Sequence, residues 1–318
     1  MSNLLVTHYL LPTGYAMLPD SLMFRPVQPA DKDRVLDFTR NTWGDAEEDY
    51  IKDVFDEWVA DPRGEFTAAV IHDRVAGISK LTDMGDDEWW LEGLRIDPAY
   101  RRMGIASEFN RYQVALAKRL GGKVVRYMTG DGNLGSQTIG AQAGFQHILT
   151  FTAHFAEASK EFPGPALLTV ADVPALTRWI DSPLMHYQHG VYHDAWTAKT
   201  LTEAELRRVV EAELAYGLKD DSDSIAAWAL LRSDEYDDDS EDGEQRRLRI
   251  DHFDGEMNAV TELARQMRAV AAAQHRIEIS ASISDHPPLV QAVIDAGYAV
   301  KMDKFGLWVL ELKLMNAE

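Results

Sequence analysis

Two arginines, a glycine and an alanine are spaced so that they could hold a phosphate group. They lie in the stretch "RRMGIA", Arg101–Ala106, shortly after a strand-like run that ends before Pro98. Backbone N–H groups that converge at the start of a helix bind anions, because the helix dipole favours negative charge there. Gly104 permits close approach of a ligand, and the small Ala106 leaves room in the first turn. The alternative is a strand-to-helix bend whose glycine only makes the turn.

Other common binding patterns are absent from the sequence. No G-x-x-x-x-G-K-[ST] segment occurs and no G-x-G-x-x-G follows a strand, so neither a P-loop nor a dinucleotide site is predicted. The chain has no cysteine, which excludes disulfides, thiolate metal sites and a cysteine nucleophile. The acidic segment 233–244 does not place a glycine and a terminal glutamate at the spacing of a calcium loop, so we predict a solvated loop and no metal.

The composition indicates a soluble globular protein. Hydrophobic residues make up 46% of the chain and charged residues 26%. The 52 acidic against 32 basic residues give a net charge of −20, which argues against a nucleic-acid partner. No apolar run approaches the roughly 18 residues that span a bilayer. The N-terminal segment lacks a basic region and is interrupted by Pro12, so we expect no signal peptide and a cytoplasmic location.

The hydrophobic periodicity predicts an α/β protein with two similar halves. Residues 24–155 show the order β-α-α-β-β-β-α-β-α-β, and much of this order recurs after a linker-like segment at 157–166. We predict an N-terminal arm at 1–22, a first domain at 23–158 and a second at 164–318. A generic α/β tail is the alternative for the second half. Three of the tryptophans there, Trp179, Trp196 and Trp228, are expected in the core.

The stretch from Leu94 to Ala106 resembles a signature of the GNAT superfamily of N-acetyltransferases. Their acetyl-CoA signature, R/Q-x-x-G-x-G/A after a strand reading V-x-P, is similar to Arg101-x-x-Gly104-x-Ala106 after Leu94-x-Ile96-x-Pro98. A second match is Asn133 followed by Gly144-Phe145. The order of elements over 24–155 also agrees. The resemblance implies a mixed, mostly antiparallel sheet flanked by helices, as two tandem GNAT-like domains, and acetyl-CoA as co-substrate.

The resemblance also implies a set of binding residues. Backbone N–H groups around the cradle would hold the pyrophosphate, the main chain of the preceding strand would pair with pantetheine, and Asn133 would lie near the pantetheine. The implied cofactor-binding residues are Leu94, Arg95, Ile96, Arg101, Arg102, Met103, Gly104, Ile105, Ala106, Ser107 and Asn133.

Acetyl transfer needs a base, because an ammonium group has no lone pair with which to attack. Glu92 is our candidate, with a substrate-holding or ion-pairing role as the alternative; Glu88 and Asp97 are further candidates. Strand alternation predicts that Glu92, Leu94 and Ile96 share one face.

A general acid is harder to find. Relatives often carry a tyrosine seven residues after the asparagine, where this chain has Gly140. Tyr127, His147 or His154 are candidate substitutes.

The acceptor is expected to be a small primary amine. The phrase "EGLRIDP" with the cradle resembles histidine N-acetyltransferase and its relatives, which favours an amino-acid-like acceptor, and the acidic composition suits a cationic one. The second half lacks an Arg-x-x-Gly-x-Ala/Gly pattern and is expected to be a degenerate copy. A non-catalytic acyl-CoA sensor and a protein N-acetyltransferase are the alternatives. We expect a monomer or a homodimer.

Overall fold

The computed structural model describes residues 18–19, 21–40, 42, 49–232, 247–301 and 305–314. The described chain divides into two compact units: the first runs to Val125 and includes Thr138–Gly144, and the second holds Arg126–Gln137 and Phe145–Leu312. The predicted mixed α/β fold is confirmed. The acidic segment 233–244 and most of the predicted arm lie outside the described residues, and the domain boundaries stay a prediction. No helix in the described ranges is both long and apolar enough to span a bilayer.

The described residues of the first unit up to Arg119 form four antiparallel strands and three α-helices. The strands follow one another in the sheet in chain order. The elements are β1 (Met23–Pro26), α1 (Lys32–Thr39), α2 (Ile51–Ala60), β2 (Gly64–Ile71), β3 (Arg74–Gly85), β4 (Glu88–Ile96) and α3 (Ile105–Arg119).

Alternating side chains divide the core of the first unit between the two faces of its sheet. Phe66, Ala68 and Val70 of β2 pack with the apolar stripes of α1 and α2. Ala69 and Ile71 of the same strand pack with α3. This period of two is the reason that one strand can serve two buried layers.

A bulge at Gly93 interrupts the alternation of β4. Ile78 lies opposite Arg95, but Lys80 lies opposite Glu92, so β4 has one residue more than β3 at this point. Gly93 has φ of 64°, and a Cβ there would lie 2.5 Å from the Trp58 ring. Only glycine fits both constraints.

The bulge overturns the prediction that Glu92, Leu94 and Ile96 share one face. Leu94 and Ile96 pack on the α3 side of the sheet. Glu92 lies opposite Lys80, whose ammonium reaches Asp61 just after α2. The extra residue therefore turns Glu92 to the α1/α2 side.

The remaining elements range from the 2 residues of β7 to the 17 residues of α8. They are β5 (Val124–Gly130), α4 (Leu134–Ala143), β6 (Gln146–Glu157), β7 (Ala166–Leu167), α5 (Val173–Leu176), α6 (Pro183–Tyr187), β8 (Val191–Asp194), β9 (Thr197–Thr200), α7 (Glu203–Glu211), β10 (Ala215–Lys219), β11 (Ile225–Leu231), β12 (Leu248–Gly255), α8 (Met257–Ala273), β13 (Glu278–Ser284), α9 (Pro287–Asp295) and β14 (Gly306–Lys313). In the second unit the order β14-β6-β13-β12-β11-β10-β7 is antiparallel except for β12 and β13, which run parallel.

The structure of the second half differs from what the sequence suggests in three places. Hydrophobic periodicity predicts one helix over about 203–216, but α7 ends at Glu211, because Glu213 takes a left-handed φ of 59° and the next residues pair with β11. The hairpin of β8 and β9 was not predicted. Trp179 and Trp228 are buried as expected, but Trp196 is 58% exposed and lies under the Arg232 guanidinium.

We predict that Gly93→Ala destabilises the protein by about 2–4 kcal/mol, because a left-handed φ and overpacking against Trp58 each cost about 1–3 kcal/mol. Urea unfolding measures this loss. Gly121→Ala is the control, since Gly121 has φ of 86° and a Cβ added there would have no atom within 4 Å. Equal losses in the two variants would contradict the role of the Trp58 contact.

Candidate functional site

The predicted cradle is a loop between β4 and α3. A 3-10 turn over Pro98–Tyr100 leads into it, and Asp97 accepts the N–H of Ala99 at the start of that turn. Arg102 and Gly104 have φ of 65° and 79°, so the chain reverses twice before the helix begins at Ile105. Gly104 is the N-cap residue of α3. The loop therefore delivers the backbone directly to a helix N-terminus.

The cradle contains a row of backbone donors. Among the described residues, no hydrogen bond from the N–H groups of 102–107 to a protein acceptor is found, and the first that bonds back is Glu108, to the Gly104 carbonyl. In the described part of the chain, a Cβ built at Gly104 would meet Leu18 alone, at 3.3 Å. Arg101 and Arg102 are exposed. These donors, the open space and the two cations suit a phosphate group.

Glu92 is a half-buried carboxylate on the face of β4 opposite to Leu94 and Ile96. One of its oxygens accepts a hydrogen bond from the Thr82 hydroxyl on β3. Burial raises the pKa of Glu92 above its usual range, although the Thr82 hydrogen bond and the charge of Lys80 act against this. A raised pKa makes the ionised carboxylate a stronger base, as proton removal from an amine requires.

The other predicted residues of β4 lie on the two faces that the bulge defines. Leu94 and Ile96 are partly buried against Ile105 and Phe109. The Arg95 side chain is on the α2 side, where Asp49 lies 2.6 Å from its Nε. Met103 packs with the same apolar cluster as Leu94.

The two remaining acidic candidates are also placed. Asp97 pairs with Arg34 and anchors the turn described above, which accounts for it structurally. Glu88 begins β4, four residues before Glu92.

Tyr127 and Asn133 belong to the second unit. The Tyr127 hydroxyl donates to the Ser136 carbonyl at 3.0 Å, and burial raises the pKa of Tyr127 to about 12. The Asn133 side chain accepts the N–H of Ser136 at the start of α4. Their proposed roles stay predictions. His147 stacks on Trp308, and His154 is buried with its pKa lowered by burial.

Three residues near Glu92 were missed by sequence reasoning: Thr82, Lys80 and Asp61. Lys80 is 1% exposed and its Nζ lies 2.6 Å from Asp61. A lysine inside the apolar run "GISKL" is the signal that could have drawn attention to it. No group of three or more His, Asp or Glu side chains in the described residues could hold a metal ion.

The second unit has the same strand-to-helix joint without the loop. Residues 97–104 separate β4 from α3, whereas only Glu256 separates β12 from α8. A Cβ at Gly255 would lie 2.5 Å from the Ala226 carbonyl oxygen. This joint therefore has no loop that brings further backbone N–H groups to the start of the helix.

Two buried carboxylates occupy β12 in the second unit. Asp251 accepts hydrogen bonds from Arg232, from His193 Nδ1 at 3.1 Å and from the N–H of Ala195 at 2.8 Å. Asp254 accepts the Ser182 hydroxyl at 2.6 Å, and burial raises its pKa to about 7. Sequence patterns alone did not reveal either group.

Comparisons with known proteins agree with this architecture. Residues 32–145 match the model of the Acetyltransferase (GNAT) family. A structure of a GCN5-related N-acetyltransferase from Sphaerobacter thermophilus superposes with a TM-score of 0.61 at 13% identity, covering 93% of this chain and 97% of that one. The fold is that of the GNAT acetyltransferases.

Two further GNAT structures resemble the whole chain. A tandem GNAT protein from the clavulanic acid biosynthesis pathway has a TM-score of 0.54 at 13% identity, covering 93% of this chain and all of that one. A GCN5-related N-acetyltransferase from Kribbella flavida has a TM-score of 0.54 at 15% identity, covering 93% and 72%. No curated protein matches the sequence, and the local similarity to histidine N-acetyltransferase stays a prediction.

The raised pKa of Asp254 predicts a pH-dependent stability. Because the folded pKa of about 7 exceeds the unfolded value of 3.8, this group stabilises the fold at low pH and the contribution is lost as the pH rises through 7. The wild type should lose about 3–5 kcal/mol of unfolding free energy between pH 4 and pH 8 that Asp254→Asn does not lose, so the difference between the two proteins should change by this amount. Urea titrations at each pH measure the difference; a constant difference would contradict the assignment.

Proposed function

We propose that the chain is an N-acetyltransferase that moves the acetyl group of acetyl-CoA to a primary amine in a ternary complex. The observation that carries this proposal is the row of N–H groups at 102–107, for which the described residues offer no protein acceptor, within the segment that matches the GNAT family model. The GNAT fold supports acyl transfer from acetyl-CoA in general. The specific reaction and the class of acceptor are the parts that we propose.

The residues of the first unit fit the co-substrate. The N–H groups of 102–107 would bind the pyrophosphate, with Arg101 and Arg102 adding positive charge beside it. The main chain at Leu94 and Ile96 would pair with the pantetheine. Acetyl-CoA supplies an activated thioester, so the protein needs no covalent nucleophile and the absence of cysteine is no obstacle.

Glu92 would act as the general base. A positioned carboxylate takes the proton that the amine must lose, directly or through one water, and such a group contributes about 10²–10⁴-fold to the rate. Its burial keeps bulk water from stabilising the ionised form. Of the alternatives for Glu92, an ion pair with Lys80 is disfavoured because that lysine binds Asp61.

The acceptor that we propose is a small amino-acid-like or cationic amine. The net charge of −20 attracts cations. Glu57 and Asp61 also act electrostatically on Glu92, so the surroundings of the base are acidic. A protein N-terminus or lysine would meet the same chemistry at a larger acceptor.

The second candidate function is a non-catalytic acyl-CoA-binding protein. Gly140, where relatives often have a tyrosine, favours it, as does the Tyr127 hydroxyl, which is bonded to Ser136 and has a pKa of about 12. A CoA thiolate is a tolerable leaving group without an acid, so we rank transfer first. Both candidates require the cradle, but only the first requires Glu92.

We predict that Gly104→Val weakens acetyl-CoA binding by at least tenfold, because the branched side chain resists φ of 79° and fills the space at the helix N-terminus. Isothermal titration calorimetry measures the affinity. Gly121→Val, at the other end of α3 and also at positive φ, should bind acetyl-CoA as the wild type does. Unchanged affinity in Gly104→Val would refute the cradle.

A further inference from the structure

Lys80 and Glu92 lie opposite each other on adjacent strands, but their side chains do not form an ion pair. They are direct partners in the β3–β4 register, where opposite charges ordinarily attract across a sheet. The Lys80 ammonium instead lies 2.6 Å from Asp61 Oδ2. Lys80 is 1% exposed, so packing fixes its aliphatic side chain. Its ammonium forms an ion pair with Asp61.

Asp61 is well suited to hold that lysine. It follows α2 and also accepts the N–H of Arg63 at 2.9 Å. Burial alone would raise the pKa of Asp61, but the hydrogen bonds from Lys80 and Arg63 lower it below its usual range. The pKa of Glu92 is shifted in the opposite direction by its deeper burial. Of the two carboxylates near Lys80, Asp61 is therefore the one whose ionised form its neighbours stabilise more.

Thr82 supplies the remaining contact to Glu92. It lies two residues after Lys80 on β3, on the same face, and its hydroxyl donates to Glu92 Oε1. A hydroxyl fixes the position of one carboxylate oxygen without neutralising the charge.

We propose that Thr82 and Asp61 are positioning residues for Glu92: Thr82 holds one carboxylate oxygen, and Asp61 keeps the Lys80 ammonium from forming an ion pair with Glu92. This inference rests on the proposed function in assigning Glu92 as the base. It adds that Asp61 binds the Lys80 ammonium, which lies opposite Glu92, and that Glu92 therefore remains a stronger base than it would be in an ion pair.

Charged and titratable groups face Glu92 from each neighbouring element. Lys80 lies on β3 and acts to lower the Glu92 pKa, while Glu57 on α2 and Asp61 after α2 act to raise it. Tyr50 precedes α2 and interacts electrostatically with Glu92, and burial raises the pKa of Tyr50 to about 12, so it is neutral at ordinary pH. Lys80 is the one cation among these four described groups, and Arg95, on the same side of β4, is paired with Asp49.

Two substitutions should shift the Glu92 pKa in opposite directions. Thr82→Val removes the hydroxyl that stabilises the carboxylate and should raise the pKa by about one unit, a tenfold change in proton affinity. Thr82→Ser should restore it. Asp61→Asn should release Lys80 to Glu92 and lower the pKa by about one unit or more. Adding Lys80→Met to Asp61→Asn should cancel that fall.

Carbon-13 NMR titration of glutamate-labelled full-length protein measures this pKa, and Glu92→Gln identifies the resonance. Matched controls are Thr67→Val, which removes a similar hydroxyl-to-carboxylate bond to Glu65, and Asp31→Asn, which breaks the ion pair with Arg25. Both controls should leave the Glu92 pKa unchanged. The acid limb of the acetylation rate against pH should move with the pKa in each variant.

Shifts of opposite sign, with the controls silent, would support the inference; no shift, or shifts of the same sign in both variants, would overturn it. The NMR readout does not depend on turnover. If the wild type acetylates no amine, the proposed function fails while the titration still decides whether Thr82 and Asp61 govern Glu92. If Asp61→Asn does not fold, Thr82→Val and Thr82→Ser alone decide the part that concerns the hydroxyl, and an unchanged pKa there overturns the proposal.

Discussion

The left-handed backbone at Gly93 organises the first unit. Trp58 packs where a side chain at residue 93 would stand, so glycine is required there. At the same point β4 carries one residue more than β3. That residue places Leu94 and Ile96 against α3 while Glu92 faces α2. The cofactor-facing and proton-accepting roles that we propose can therefore be assigned to opposite faces of one strand. A regular strand would place Glu92 in the apolar layer with Leu94, where an ionised carboxylate is costly.

The second unit shows what the same framework becomes without the loop. β12 is also bulged, since Leu230 lies opposite His252 but Leu231 lies opposite Ile250. Its bulge residue, Asp251, is neutralised by Arg232 and contacted by His193, in contrast to Glu92, which is held by the Thr82 hydroxyl. Its helix α8 begins one residue after the strand. These internal charge pairs and the missing loop are consistent with the degenerate copy that the sequence predicts for the second half, which stays a prediction.

Much of the fold of the first unit could be predicted from the sequence, because hydrophobic periodicity and short motifs determine it. The periodicity located the strands and helices of the first unit to within a few residues, and Arg101, Gly104 and Ala106 pointed to the GNAT fold. The bulge could not be read in this way, since a single glycine in a strand has several meanings. The partner of Lys80 was also out of reach, because Asp61 lies 19 residues away and only the folded sheet brings them together. Likewise, the first two residues of β10, Ala215 and Tyr216, were assigned to the preceding helix, because strand pairing outweighed local propensity there.

The central claim is that this chain transfers acetyl groups and that Glu92 accepts the proton. Incubating the protein with acetyl-CoA and a mixed panel of amines and amino acids, followed by mass spectrometry, tests it most directly. We expect an acetylated product from the wild type and at least a hundredfold less from Glu92→Gln, with acetyl-CoA binding retained in both. Acetyl-CoA binding by the wild type without any acetylated product, or undiminished product from Glu92→Gln, would contradict the account.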